Sequence, residues 1–417
     1  MNRLVALVAL LAFAADASAD NWPAWRGPTG QGYCFEKDVP MKWSPTENVK
    51  WKIKLPYGGN STPVVWNDRV FLTIANKGGT LRSLMCLDRA DGKELWKKDI
   101  NYPEKEQNWT QDWYGNASPT TDGERVVVSL GSAGMYCYDF KGNELWKRTD
   151  LGKWQHNFGN ASSPVLYHDL CILLCGPNNG KGGNQLLAVN KKTGVTVWKV
   201  DEKFTSWGTP IIVQIDGKDQ LLYSPAYQLK SVDPKTGTEN WVCEGLMEYV
   251  YTSPLYSPEH KIAVAMSGYQ KSALAVKITG SAKYTKSDLL WHHPSNDQRV
   301  GSGIIVGDHV YIYEENGGAI SQPIGPKCFD LKTGKELWKL EKRFSGSNWG
   351  SMVHVDGKLY VFTRDCTTYI FKASPKLELL ATNKLDKGES TNSSPAISNG
   401  EIFLRTNRAL WCISEKK

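Results

Sequence analysis

A string of about eleven residues returns along this chain and restricts its fold to an array of equivalent units. CFDLKTGKELW, from Cys328 to Trp338, matches CLDRADGKELW, from Cys86 to Trp96. Ala188 to Trp198 and Ser231 to Trp241 keep the same frame, Cys137 to Trp146 is one residue shorter, Ala275 to Trp291 carries an insertion, and the copy near Ile370 to Leu380 has no tryptophan. Upstream of each lies a second marker, a Ser/Thr-Pro pair followed by alternating apolar residues, at Pro63, Pro119, Pro164, Pro210, Pro254 and Pro395. Ser302-Gly303 and Ser351-Met352 take the same place without the proline, so the markers number eight and recur at intervals of 43 to 56 residues. That spacing suits a four-stranded propeller blade, a unit too thin to bury both faces without neighbours.

Period-two alternation bounded by turn residues divides each unit into strands A to D. Val64 to Trp66 reads as A, the run from Arg69 as B and the segment around Cys86 as C, whose Asp opens a tight turn before the Trp-bearing D strand. The last copy stops at Trp411-Cys412 with no D strand behind it. Asn48 to Leu55 matches that missing strand and precedes the first marker, so the segment around Trp51 is expected to complete blade eight and close the ring. The expected fold is therefore all-β: a single eight-bladed propeller of four-stranded antiparallel blades over residues 48–417, behind an N-terminal extension over 20–47.

The repeats from residue 86 to 338 resemble those of the PQQ-like, quinoprotein-type β-propeller family, and the opening Trp22 to Pro28 is similar to secreted bacterial members of it. The resemblance implies two branches. One comprises quinoprotein dehydrogenases that hold pyrroloquinoline quinone (PQQ) and calcium; the other is the propeller subunit of the outer-membrane β-barrel assembly machine, which is not an enzyme. Quinoprotein alcohol dehydrogenases carry a disulfide between adjacent cysteines beside the cofactor, and this chain has no Cys-Cys pair. No catalytic residue is carried over, and no cofactor is expected, PQQ with calcium being the alternative.

Arg3, the apolar run Leu4 to Ala15 and the small residues Ala17-Ser18-Ala19 read as a signal peptide over residues 1–19, with a periplasmic or secreted destination. That run is too short for a membrane span, and no cysteine sits at the cleavage site to accept a lipid. The net charge of +7 is dispersed among acidic residues rather than gathered in runs, which argues against a nucleic-acid partner. A monomer is expected. The seven histidines are scattered apart from His292-His293, and no zinc or calcium spacing occurs, so no metal site is expected. Of the nine cysteines, Cys86, Cys137, Cys328 and Cys412 occupy the slot that Ala188, Ser231 and Ala275 fill elsewhere, which marks it as a small buried position. Equivalent slots stand about 10 Å apart, beyond disulfide reach. Cys34, Cys243 and Cys366 stay open as disulfide partners.

Seventeen tryptophans are present, and seven of them are repeat residues. Five others, Trp109, Trp113, Trp154, Trp207 and Trp349, fall in the connections from strand D of one blade to strand A of the next. The B-to-C loops must emerge on the same face, and they contribute Arg82, Glu314, Glu315, Arg364 and other polar residues. One mouth of the ring is thus expected to combine aromatic walls with polar groups, which suits a sugar, a peptide strand or a planar ligand. The candidate binding residues are Trp109, Asp112, Trp113, His156, Trp207, Tyr251, Arg299, Glu315, Trp349 and Arg364. The bland alternative is that these aromatics plug the channel. The functional expectation is a non-catalytic binding or scaffold propeller that engages a protein or carbohydrate partner. The alternatives are an outer-membrane protein assembly subunit and a PQQ-dependent dehydrogenase, in which Arg299 or Arg364 pairs the cofactor's carboxylates and Asp112, Asp297 or Glu315 acts as base.

Overall fold

The computed structural model describes residues 21–107, 114–178, 183–204, 206–268, 272–294, 300–314, 325–338, 340 and 343–415. The leader read over residues 1–19 lies outside them. Eight antiparallel sheets follow one another along the chain. The first blade is typical, with A at Val64–Trp66, B at Arg69–Ala75, C at Leu81–Asp88 and D at Glu94–Asn101. Val49–Lys54 pairs antiparallel with Ala409–Ile413, so the strand holding Trp51 is the outer strand of the eighth blade and closes the ring. The sixth blade is thinnest, with three strands and an isolated bridge from Phe329 to Glu336 where the fourth would run. No described helix is long and apolar enough to cross a membrane.

The register explains the repeat. Each outer-strand tryptophan stands opposite the small slot of strand C: Cys86 opposite Trp96, Cys137 opposite Trp146, Ala188 opposite Trp198 and Cys412 opposite Trp51. Its indole Nε1 donates to a carbonyl in the C-to-D turn of the next blade. Trp51 reaches Arg89 at 2.9 Å, Trp146 reaches Lys191 at 2.9 Å and Trp291 reaches Leu331 at 2.8 Å. The turn glycine lies flat against that indole; at Gly194, where φ is +72°, an added Cβ would come within 2.8 Å of the Trp146 ring. Asp, Gly and Trp of the motif are therefore one interblade lock, made of the turn of one blade and the outer strand of its neighbour.

Trp241 departs from the pattern, donating to Gln220 Oε1 of its own blade. The next blade has no short turn to offer. Its insertion instead adds Lys283–Tyr284 as a parallel strand on the outer strand Glu239–Glu244, and Tyr284 packs edge-on against Trp241.

A second lock runs round the channel and uses the Ser/Thr of the upstream marker. The amide of Thr62 donates to Ser118 Oγ at 2.9 Å, Ser118 to Ser163 at 2.9 Å, Ser163 to Thr209 at 3.0 Å, Ser253 to Ser302 at 3.0 Å, Ser302 to Ser351 at 3.2 Å, Ser351 to Ser394 at 2.8 Å and Ser394 to Thr62 at 3.2 Å. The circle is completed by Ser253 Oγ, which donates to the Thr209 carbonyl. These inner-strand amides point sideways rather than along a sheet, and the neighbouring hydroxyl satisfies each of them.

The N-terminal extension, to which sequence reading assigned no role, crosses the far end of the ring. Trp22 bridges Val65 of blade one, and the Thr121 amide of blade two donates to Pro23. Gln31 accepts from the Tyr256 amide of blade five, Arg26 donates to the Gly303 carbonyl of blade six, and Tyr33–Cys34 pairs in parallel with Val353–Val355 of blade seven. One segment thus ties five blades together before it leaves over the outer strand of blade seven, where Asn383 bonds Trp43 and Met41. All nine cysteines, including Cys34, Cys243 and Cys366, are buried and unbridged.

Candidate functional site

Two residues ahead of each marker Ser/Thr, the chain reaches the inner wall of the ring. The residues at that position are Asn60, Asn116, Ala161, Trp207, Tyr251, Val300, Trp349 and Asn392, one per blade, and all eight line a single cavity of about 150 Å³. Phe158, Ser163 and Thr209 complete its wall, and Trp25 of the N-terminal segment also lines it. The cavity is the upper part of the central channel, whose far end is crossed by residues 22–34.

Its wall is sided. Asn60, Asn116 and Asn392 come from the adjacent blades one, two and eight, and Asn60 Nδ2 donates to Asn116 Oδ1 at 2.7 Å while Asn116 Nδ2 donates to the Asn160 carbonyl at 3.1 Å. Across from them stands an aromatic bank. Trp207 has Tyr251 at 4.9 Å between ring centroids and His156 edge-on at 4.7 Å, with Phe158 and Tyr249 around them. The Trp207 indole is fixed by a 2.9 Å bond to the Gly159 carbonyl and is nearly buried. His156 backs this bank, and burial lowers its pKa below the usual imidazole value, so it is neutral at pH 7. Between the two sides, Arg364 lays its guanidinium over the Trp349 ring, 3.9 Å from the centroid.

Of the residues singled out in the sequence, the structure brings Trp207, Tyr251 and Trp349 to the cavity wall and sets His156 and Arg364 directly behind it. Trp109, Asp112, Trp113, Arg299 and Glu315 lie outside the described residues. Three expectations about the rim are corrected. Arg82 is fully buried and held by Glu106 at 2.8 Å, the Gly79 carbonyl and the rings of Tyr102 and Tyr114. Glu314 is buried against Lys327 at 2.8 Å. Trp154 is 3% exposed and packs in the core with Trp146 and Cys137. A loop residue next to the ring can fold back between blades, and loop membership alone did not distinguish these residues from wall residues.

Asn60, Asn116, Asn392 and Trp25 were missed. A signal existed for the asparagines: the position two before the marker is equivalent in all blades, so its occupants converge by symmetry. Nothing local marked Trp25, because its place depends on where the extension crosses the ring.

A PQQ_2 family model, described as outer membrane protein assembly factor BamB, matches residues 83–322. No curated protein matches the chain in sequence. Among solved structures, BamB from Moraxella catarrhalis is similar over 88% of this chain and 96% of its own, at 13% identity and a TM-score of 0.60. A europium-containing methanol dehydrogenase is similar over 92% and 88%, at 12% identity and a TM-score of 0.66. The computationally designed Ika8 protein is similar over 87% and 99%, at 13% identity and a TM-score of 0.58. An assembly factor, an enzyme and a designed protein are thus each similar to this chain in architecture, and at these identities the likeness is one of fold.

Proposed function

The chain belongs to the PQQ_2 family of β-propellers, and from that premise we propose that it is a non-catalytic binding propeller, periplasmic or secreted, whose channel mouth holds a small ligand. The observation that carries this reading is the eightfold-equivalent wall position, occupied by asparagines on one side and aromatic rings on the other. Flat rings facing amide donors and acceptors bind by stacking and hydrogen bonding without a reactive group. Among the described residues, the lining carries no carboxylate, imidazole, amine or thiol. Size supports a modest occupant, since about 150 Å³ accommodates roughly one six-membered ring. The fused three-ring PQQ exceeds a space of about 150 Å³, so the cavity formed by the described residues does not fit it.

The reading is tested by tryptophan fluorescence, since Trp25, Trp207 and Trp349 all report on the cavity. Single-ring solutes such as glucose and benzamide are titrated into the wild-type protein and into Trp349→Ala. Saturable change with at least one solute, weakened about tenfold in the variant at unchanged circular dichroism, is the expected result. No saturable response to any such solute would refute a ligand site. Added PQQ and calcium should produce no dye-linked alcohol oxidation; turnover would favour the dehydrogenase reading.

The family description favours a second reading, in which the propeller serves outer-membrane protein assembly through a protein partner. Co-purification with a β-barrel assembly protein supports it, and a monodisperse monomer recovered alone from crosslinked cells counts against it.

A further inference from the structure

The described wall of the cavity is neutral, yet three guanidinium groups stand one layer behind it, and among the described residues no carboxylate pairs with them. Arg26 follows Trp25 and lies 5.8 Å from that ring; it is fully buried, donates to the Gln31 and Gly303 carbonyls, and leaves Nε and Nη1 with no protein acceptor. Arg405 is fully buried at the seam of blades eight and one, where it bonds Ser61 beside the wall residue Asn60, and its Nε and Nη2 have no acceptor. Arg364 covers Trp349, and among the described residues no carboxylate pairs with it. Burial lowers the Arg26 pKa to about 10 and that of Arg405 to about 9, so both remain charged at pH 7.

The described acids close to the mouth are already engaged. Glu106 is held by Arg82, Asn160 and the Ser132 amide. Glu389 accepts from Thr406 and pairs with Lys52 at 3.7 Å, and Asp365 accepts from Thr363 and the Thr367 amide. Buried cations without counter-charge are costly, and in a low-dielectric channel their field reaches a ligand they do not touch. Elsewhere in this chain a buried arginine has its acid, as Arg82 has Glu106 and Arg89 has Glu401 at 2.7 Å. The channel arginines therefore differ in kind.

We propose that the channel ligand is a small anion on a single flat ring, its ring stacked on the aromatic bank around Trp207 and its negative group in the field of Arg26, Arg364 and Arg405. This rests on the mouth being a ligand site, as argued above. The ring supplies shape and the charge supplies selection.

Benzoate, benzamide and benzamidine share one ring and differ in charge, so they separate the two claims. The expected result is that benzoate quenches tryptophan fluorescence saturably and binds about tenfold tighter than benzamide, while benzamidine binds more weakly than either. Arg364 is partly exposed, and Arg364→Gln should weaken benzoate binding severalfold more than it weakens benzamide binding, which narrows the preference at unchanged circular dichroism. Glucuronate and glucose are the puckered-ring pair, and saturable binding of glucuronate without any of benzoate overturns the flat ring. Equal affinity for benzoate and benzamide overturns the charge assignment and leaves the ligand site standing. Silence from every solute overturns both.

Discussion

Replacing Ser118 with alanine removes the hydroxyl that accepts the Thr62 amide and leaves that buried donor without a partner. The expected cost is about 1–3 kcal/mol, read from a denaturant midpoint, whereas Ser118→Thr should stay near wild type because Thr62 and Thr209 already serve in the same slot. The cysteines make a second residue-scale case. Burial pushes the Cys86, Cys137 and Cys366 thiols up to about 12, above the value of about 9 they regain on unfolding. Their contribution is complete below pH 9 and is lost as pH rises toward 12, because only the unfolded chain releases protons in that interval. The melting temperature should therefore fall above pH 9, less steeply in Cys137→Ala. A thiol reagent at pH 7.5 should find no reactive group in the native protein and all nine once it is denatured.

At the scale of the blade, the turn glycine and the outer-strand tryptophan of its neighbour form a single device. Gly194→Ala places a Cβ within 2.8 Å of the Trp146 ring at a positive φ, and should destabilise the ring by about 1–3 kcal/mol in thermal unfolding. Gly388 has φ +79° but meets no atom within 4 Å, so an alanine there isolates the backbone penalty and should cost less. Much of this level was legible in the chain. The Asp-to-Trp spacing located strands C and D, and the Ser/Thr marker located strand A even at Ser302 and Ser351, where the proline is absent. The parallel strand Lys283–Tyr284 was not legible, since two residues carry no periodicity and their pairing answers a turn missing from a neighbouring blade.

For the molecule as a whole, the two ends of the channel are built by different means. The upper end is the work of the repeat, and the far end that of residues 22–34, which bond blades one, two, five, six and seven. A chain that begins at residue 37 keeps the closing strand Val49–Lys54, so it should still form the ring. It loses buried Trp22 and Arg26, and should melt several degrees lower with its remaining tryptophans more open to acrylamide quenching. A melting temperature equal to that of the intact chain would mean that the extension merely rests on the ring.

The sequence by itself determined the number of blades, the strand that closes them and the face on which Trp207, Tyr251 and Trp349 would meet, because a repeat transmits its period directly to space. Even the polar arc of Asn60, Asn116 and Asn392 was present in the text, at a position whose meaning becomes plain once the ring is drawn. Only tertiary structure decided that Arg82 and Glu314 turn inward, that Trp154 packs in the core, and that Trp25 and Arg26 come to rest at the channel. Those outcomes depend on which charge finds a partner and which path the extension takes between blades. Such choices are made by long-range contact and burial, which have no period along the chain.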